Sequence, residues 1–230
     1  MPLLRKTLAV TGWTSLGAAL AFTISTRKST IHPVPETDYL LSTTLFARYN
    51  PNPNPSMRDI CLRRVPLDRI KPELLAQEGR LVEAFCGAVW SGWAFEVQRR
   101  YLARKYRGPE TEGQLWDVRD LERSAYAVGT KITDHFEVLS KNDSSIILRC
   151  GDSPRVNAYR ESDGLFELTA DVKKEEGVVE FGMKSVFYNS VAQPDAQSKP
   201  LQEPVGPYMQ WAHQKYTKLL MEDAARKCMQ

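Results

Sequence analysis

From Phe166 to Val172, and again from Val179 to Phe187, large apolar residues fall on alternate positions. Successive side chains of a strand point to opposite faces, so Phe166, Leu168, Ala170 and Val172 share one face. The polar run "KKEEG" supplies a turn, and Val179, Phe181, Met183, Ser185 and Phe187 return on that same face. Glu167, Thr169, Asp171, Glu180 and Lys184 take the other side, the pattern of an antiparallel hairpin with one dry and one wet face. A one-residue slip would reverse every side chain, so the register is strongly specified.

A second hairpin is predicted just upstream. "TKITDHFEV" alternates polar and apolar residues, with Asp134 on the side of Ile132, Phe136 and Val138. A three-residue turn at Lys141-Asn142-Asp143 would pair Val138 with Ile146, Phe136 with Leu148 and Asp134 with Cys150. The combined inner face is then apolar except for Asp134 and Ser185. A carboxylate facing such an interior must find a cation or several donors, or hold a proton.

Two helical patterns flank this sheet. One is expected from Glu73 to Tyr106, where Leu75, Val82, Phe85, Cys86, Val89, Trp93, Val97 and Tyr101 recur at spacings of three, four or seven. Its "AFCGAVWSGWAF" centre is apolar nearly all round, with Trp90 and Phe95 off the main stripe, and must be covered by protein, lipid or a ligand. The other runs from about Tyr208 to Lys227, with Pro207 at its first turn and His213 and Tyr216 on its apolar stripe. "DICLRRVPLDRI" predicts one further strand.

Residues 7–25 form an uncharged stretch between Arg5-Lys6 and Arg27-Lys28, long enough to cross a bilayer as a helix. Threonine, serine and glycine dilute its leucines, so a mitochondrial presequence competes with a retained single-pass anchor, and a secretory signal stands third. The Asn-Pro repeat in "YNPNPNPSM" suggests a spacer. The expected organisation is an anchor or targeting segment over 1–30, a Pro-rich spacer over 31–56 and one domain over 57–230, with a chain starting near Ser56 soluble and folded.

Several chemistries find no support. A formal charge of +3 is too small to argue for a nucleic-acid partner. Cys61, Cys86, Cys150 and Cys228 lie far apart without a C-x-x-C pair, which suggests packed thiols rather than zinc ligands or disulfides. No Gly-rich phosphate loop, nucleophile elbow or zinc helix is present, and His32, His135 and His213 are scattered. No cofactor or metal is indicated. "RCGDSPR" could hold an anion on Arg149 and Arg155, but a turn is the simpler reading of Gly-Asp-Ser-Pro.

Residues 125–225 resemble START-like, helix-grip proteins of the polyketide-cyclase type. The likeness rests on "VGTKITDHFEVLSKNDSSIILRCGDS", "DGLFELTADV", "GVVEFGMKSVFY" and "WAHQKYTKLL". In that superfamily a Gly before the first of these strands, an Asp within it and a His opening the last helix recur; here they would be Gly129, Asp134 and His213. The resemblance implies an α+β fold in which a curved antiparallel sheet grips the long C-terminal helix, with a cavity for an apolar small molecule. Members include cyclases, lipid carriers and hormone receptors, so fold alone selects no function.

The resulting expectation is a membrane-tethered protein that binds a hydrophobic intermediate of secondary metabolism and acts as a cyclase- or isomerase-like enzyme or accessory factor. Asp134 and His213 are the candidate acid–base pair. Ser185, Phe136, Phe166, Phe181, Met183, Trp93 and Tyr216 are the candidate ligand contacts. A non-catalytic lipid or isoprenoid carrier, in the mitochondrion if residues 1–30 are a presequence, would use the same walls without an acid.

Overall fold

A computed structural model describes residues 20–193 and 204–230. Its centre is a seven-stranded antiparallel sheet in the order β1-β2-β7-β6-β5-β4-β3. The strands are β1 (Ser29–Pro33), β2 (Ser56–Pro66), β3 (Lys131–Ile132), β4 (Phe136–Lys141), β5 (Ser145–Gly151), β6 (Asp163–Lys173) and β7 (Val178–Tyr188). The helices are α1 (Thr44–Tyr49), α2 (Pro72–Leu75), α3 (Arg80–Ser91), α4 (Trp93–Tyr106), α5 (Val118–Arg123) and α6 (Pro207–Lys227). The protein is α+β, with the long C-terminal helix α6 packed against the sheet.

The β6–β7 hairpin follows the alternation residue for residue. Phe166 faces Ser185, Leu168 faces Met183, Ala170 faces Phe181 and Val172 faces Val179. Gly177 closes the turn at φ 63°, a left-handed conformation that glycine adopts without steric cost. β2 then adds to the far edge of β7, pairing Cys61 with Met183 and Asp59 with Ser185. This non-local pairing extends the inner face into a second strand pair.

The upstream hairpin departs from expectation. "TKITDHFEV" is not one strand, because Thr133 and Asp134 take φ of 50° and 55° and Ile132 pairs with Phe136 across them. Asp tolerates the left-handed region and Thr does so at a cost, which surrounding bonds offset. The Asp134 amide donates to Gln114 Oε1 at 2.6 Å, and the Thr133 amide to the Leu115 carbonyl at 3.2 Å. Downstream, a bulge between Val138 and Ser140 places Val138 opposite Leu148 rather than Ile146. Parity survives this shift, so Val138 and Leu148 still point into the core.

The long helix expected over Glu73–Tyr106 is three helices, broken at Gly79 and Gly92. At Gly92 a Cβ would lie 2.3 Å from Asp223 Oδ2, so glycine lets α6 approach the break. That carboxylate accepts from the Ala94 amide at 3.0 Å and caps α4 from a distant helix. The break redirects the aromatic residues: Trp90 and Phe95 are buried while Trp93, Val97 and Tyr101 are exposed. The periodicity had put Trp93 on the inner stripe.

Residues 31–56 are not a spacer. β1 pairs with β2, and the following segment folds over the face of the sheet expected to be wet. There Leu40 packs with Ile147, Leu165, Val186 and Tyr188, with Phe46 and Tyr49 at their margin. Tyr39 donates to Glu167, and Lys184 pairs with Asp38 at 3.0 Å and Glu167 at 2.9 Å. Burial pushes the Glu167 carboxyl up, against the pull of Lys184. The sheet is thus covered on both sides, by helices and by this strap. The four cysteines are free and buried.

The strap has a measurable share of stability. Leu40→Ala should cost about 2 to 5 kcal/mol in urea denaturation, the usual range for a fully buried leucine. A chain starting at Ser56, lacking β1 and the strap, should melt lower still or aggregate through the uncovered face. An unchanged midpoint for Leu40→Ala would show that the strap is not part of the folding unit.

Candidate functional site

A cavity of about 520 Å³ opens between the inner face of the sheet and helices α3, α4 and α6. Its walls are aromatic and apolar: Trp90 and Phe95 from the α3–α4 break, Phe136 from β4, Phe166 from β6 and Phe187 from β7. Trp90 lies 4.4 Å from the Phe136 ring centre, 5.2 Å from Phe95 and 6.0 Å from Phe166, forming one aromatic corner. Helix α6 supplies Met209, Ala212, His213, Tyr216 and Thr217. Tyr216 donates to Gln98 Oε1 at 2.9 Å, and burial pushes its phenol well above its ordinary range.

Polar side chains interrupt these walls, Gln98, Ser162 and Thr217 among them, and one set gathers around Ser185. Ser185 projects from β7 into the cavity, and its buried hydroxyl has no hydrogen-bond partner among the described residues. Its cross-strand neighbour Asp59 is also buried, and neither carboxylate oxygen accepts a hydrogen bond there. His213 Nε2 stands 3.4 Å from Asp59 Oδ1, and the imidazole meets the Phe187 ring edge-on at 5.3 Å. Buried polar atoms are ordinarily satisfied, so the Ser185 hydroxyl and Asp59 Oδ2, beside the Asp59–His213 pair, form an incomplete set. An imidazole backed by a carboxylate and lining a largely apolar cavity can accept or donate a proton. His135 and Asp152 stand elsewhere on the cavity wall. Among the described residues no three His, Cys, Asp or Glu side chains converge to hold a metal.

Of the residues anticipated from sequence, His213, Ser185, Phe136, Phe166 and Tyr216 meet in this cavity. Phe181 and Met183 do not, since both are buried in the solid core, where the Phe181 ring packs tilted against Phe85 with centres 4.6 Å apart. Trp93 points to solvent. Asp134 lies outside the cavity and apart from His213. Its side chain is solvent-inaccessible and paired with Arg155 at 3.0 Å, while Gln114 and Ser153 donate to Oδ1 at 2.9 and 2.8 Å. Burial raises its pKa, but these bonds, with that from Arg155 foremost, outweigh it and hold the carboxyl below the usual carboxylate range. Arg149, the other arginine of "RCGDSPR", forks onto the buried Asp163 at 2.8 and 2.6 Å. Neither arginine is free to bind an anion, in keeping with the turn.

Sequence reasoning missed Asp59, the carboxylate that does face His213. The signal was present, since Asp59 alternates with Met57, Cys61 and Val65 on the inner side of β2. Compared with known family models, curated proteins and solved structures, the chain matches none.

A simple test asks whether Asp134 is a structural acid. Its depressed pKa contributes stability that is present above the unfolded-state value of about 4 and is lost as pH falls through the folded value. Asp134→Asn should therefore destabilise by about 1 to 3 kcal/mol at pH 7, and by progressively less as the wild type is acidified below about pH 4. Urea midpoints for both chains across pH 3 to 7 check this, and a difference that does not shrink on acidification would contradict it.

Proposed function

We propose that this protein is a helix-grip small-molecule-binding protein whose cavity takes a hydrophobic intermediate carrying a hydroxyl or carbonyl group. Its proposed activity is cyclase- or isomerase-like proton transfer. The observation that carries the reading is an unsatisfied polar group in a largely apolar cavity: the Ser185 hydroxyl is buried without a partner among the described residues, on the wall that also carries His213, with Asp59 behind the imidazole at 3.4 Å. An empty apolar cavity serves any greasy ligand, whereas unpaired buried groups favour a ligand that supplies the missing partners.

In the proposed step, His213 removes a proton from a carbon or oxygen of the ligand. The imidazolium so formed is stabilised by Asp59, which acts through His213 as a positioning residue. Ser185 donates to the oxygen on which negative charge develops. The proton then returns to another atom of the same molecule, so the sum is an isomerisation or ring closure without any oxidant or reductant. The resemblance to polyketide-cyclase-like proteins supports this class of reaction and a place in secondary metabolism. A carrier role would use the same walls without the transfer.

Two assays separate the readings. The cavity should bind 1-naphthol about tenfold more tightly than naphthalene, one good hydrogen bond's worth, and Ser185→Ala should erase most of that preference. In a small-molecule extract of the native host, the wild type should convert one component into an isomer of equal mass and different retention. His213→Gln should leave that component unconverted at an unchanged melting temperature. Retention of the preference without any conversion would place the protein among carriers; equal binding of both probes would overturn the unsatisfied-group reading itself.

A further inference from the structure

The helical layer has its own unpartnered side. At 100° per residue, Trp93, Val97 and Tyr101 form one stripe along α4, and they are 57%, 80% and 60% exposed. Ala94 and Gln98, on the adjoining side of α4, meet Asp223 and Tyr216 of α6. The two helices therefore run antiparallel, so the first turns of α6 lie toward the C-terminal end of α4. There Tyr208 and Trp211 stack at 6.0 Å and are 75% and 56% exposed. Met209 lies between them in sequence; it is exposed and also lines the cavity, so this aromatic end sits at the cavity mouth.

The charges around these side chains are mostly of one sign. Arg100, Arg104 and Lys105 share the exposed side of α4, Lys105 lying 6.0 Å over the Tyr101 ring, and Lys215 lies 5.9 Å over Trp211. Glu96, paired with Arg100, is the acid among them on α4. Exposed Trp and Tyr flanked by Lys and Arg match the interface of a bilayer, where rings sit at headgroup depth and cations meet anionic lipid. The chain also carries a long uncharged stretch over residues 7–25, whose described end leaves Leu20 and Ile24 exposed.

We propose that the solvent side of α4 and the first turns of α6 form a docking surface for a bilayer containing anionic phospholipid, which seats the cavity mouth on the membrane. The surface stands whether or not the cavity performs a reaction. It gives a hydrophobic ligand a path between lipid and cavity that does not cross water.

Tryptophan quenching tests this in the full chain carrying Trp13→Phe, which removes the fluorophore of the N-terminal stretch. Trp90 and Trp116 are buried at 2% and 3% exposure, so quenching by vesicles with brominated acyl chains reads Trp93 and Trp211. Emission should fall on phosphatidylserine-containing brominated vesicles, less on purely phosphatidylcholine ones, and not on unbrominated controls. Val97→Asp, at an exposed position, should abolish the quenching without moving the melting temperature, and Arg104→Glu with Lys105→Glu should remove the preference for anionic lipid. The proposal is overturned if the chain sediments with vesicles but shows no quenching, or if Val97→Asp is quenched like its parent. It is also overturned if the protein self-associates without vesicles and Val97→Asp makes it monomeric, since the face would then belong to a second copy.

Discussion

The hydrogen bond from the Ala94 amide to the Asp223 carboxylate sets the geometry of everything on the helical side of the sheet. A helix start leaves amide groups unpaired, and Gly92 has no side chain with which to cap one. The cap comes instead from α6, and only a residue without a Cβ lets it come so close. Fixing α4 to α6 at that point ends α3 at Ser91 and starts α4 on a new axis. Trp90 and Phe95 turn into the cavity as a consequence, and the stripe that an uninterrupted helix would bury turns outward. Cavity wall and exposed aromatic face are two results of one capped break.

The sheet was legible where its pairings are local. The β6–β7 hairpin has period two, a polar turn and a glycine at the position that needs a left-handed residue, and its register follows from those features. The C-terminal helix was equally plain, from Pro207 onward. Alternation misled at "TKITDHFEV", because polar and apolar residues also alternate through a tight turn held from outside by Gln114 and Leu115. The Gly92 break was hidden for the same reason: its cause lies more than a hundred residues away, in Asp223.

The two acids illustrate the limit best. The reasoning that singled out Asp134, a carboxylate on an apolar strand face, applies equally to Asp59 in "MRDICLRRV". Which of them meets His213 depends on β2 joining the edge of β7, a pairing that no local pattern announces. Asp134 finds Arg155, Gln114 and Ser153 and becomes a clamp for its turn. Asp59 finds only His213 at 3.4 Å, and the cost of burying a carboxylate with so little hydrogen bonding is what marks the site. The strap over the outer face was likewise concealed by its Asn-Pro tail, although Leu40, Phe46 and Tyr49 are the apolar residues such a cover requires.

The central claim is that the cavity beneath α6 holds a small molecule. Native mass spectrometry of the protein from its own host tests it most directly, comparing the wild type with Ala212→Trp, which fills the cavity from α6 at a position that is not in the buried core. The account predicts one small molecule retained per wild-type chain and its loss from Ala212→Trp at a similar melting temperature. Chains that are empty in the wild type, or a ligand that Ala212→Trp retains equally well, would contradict it.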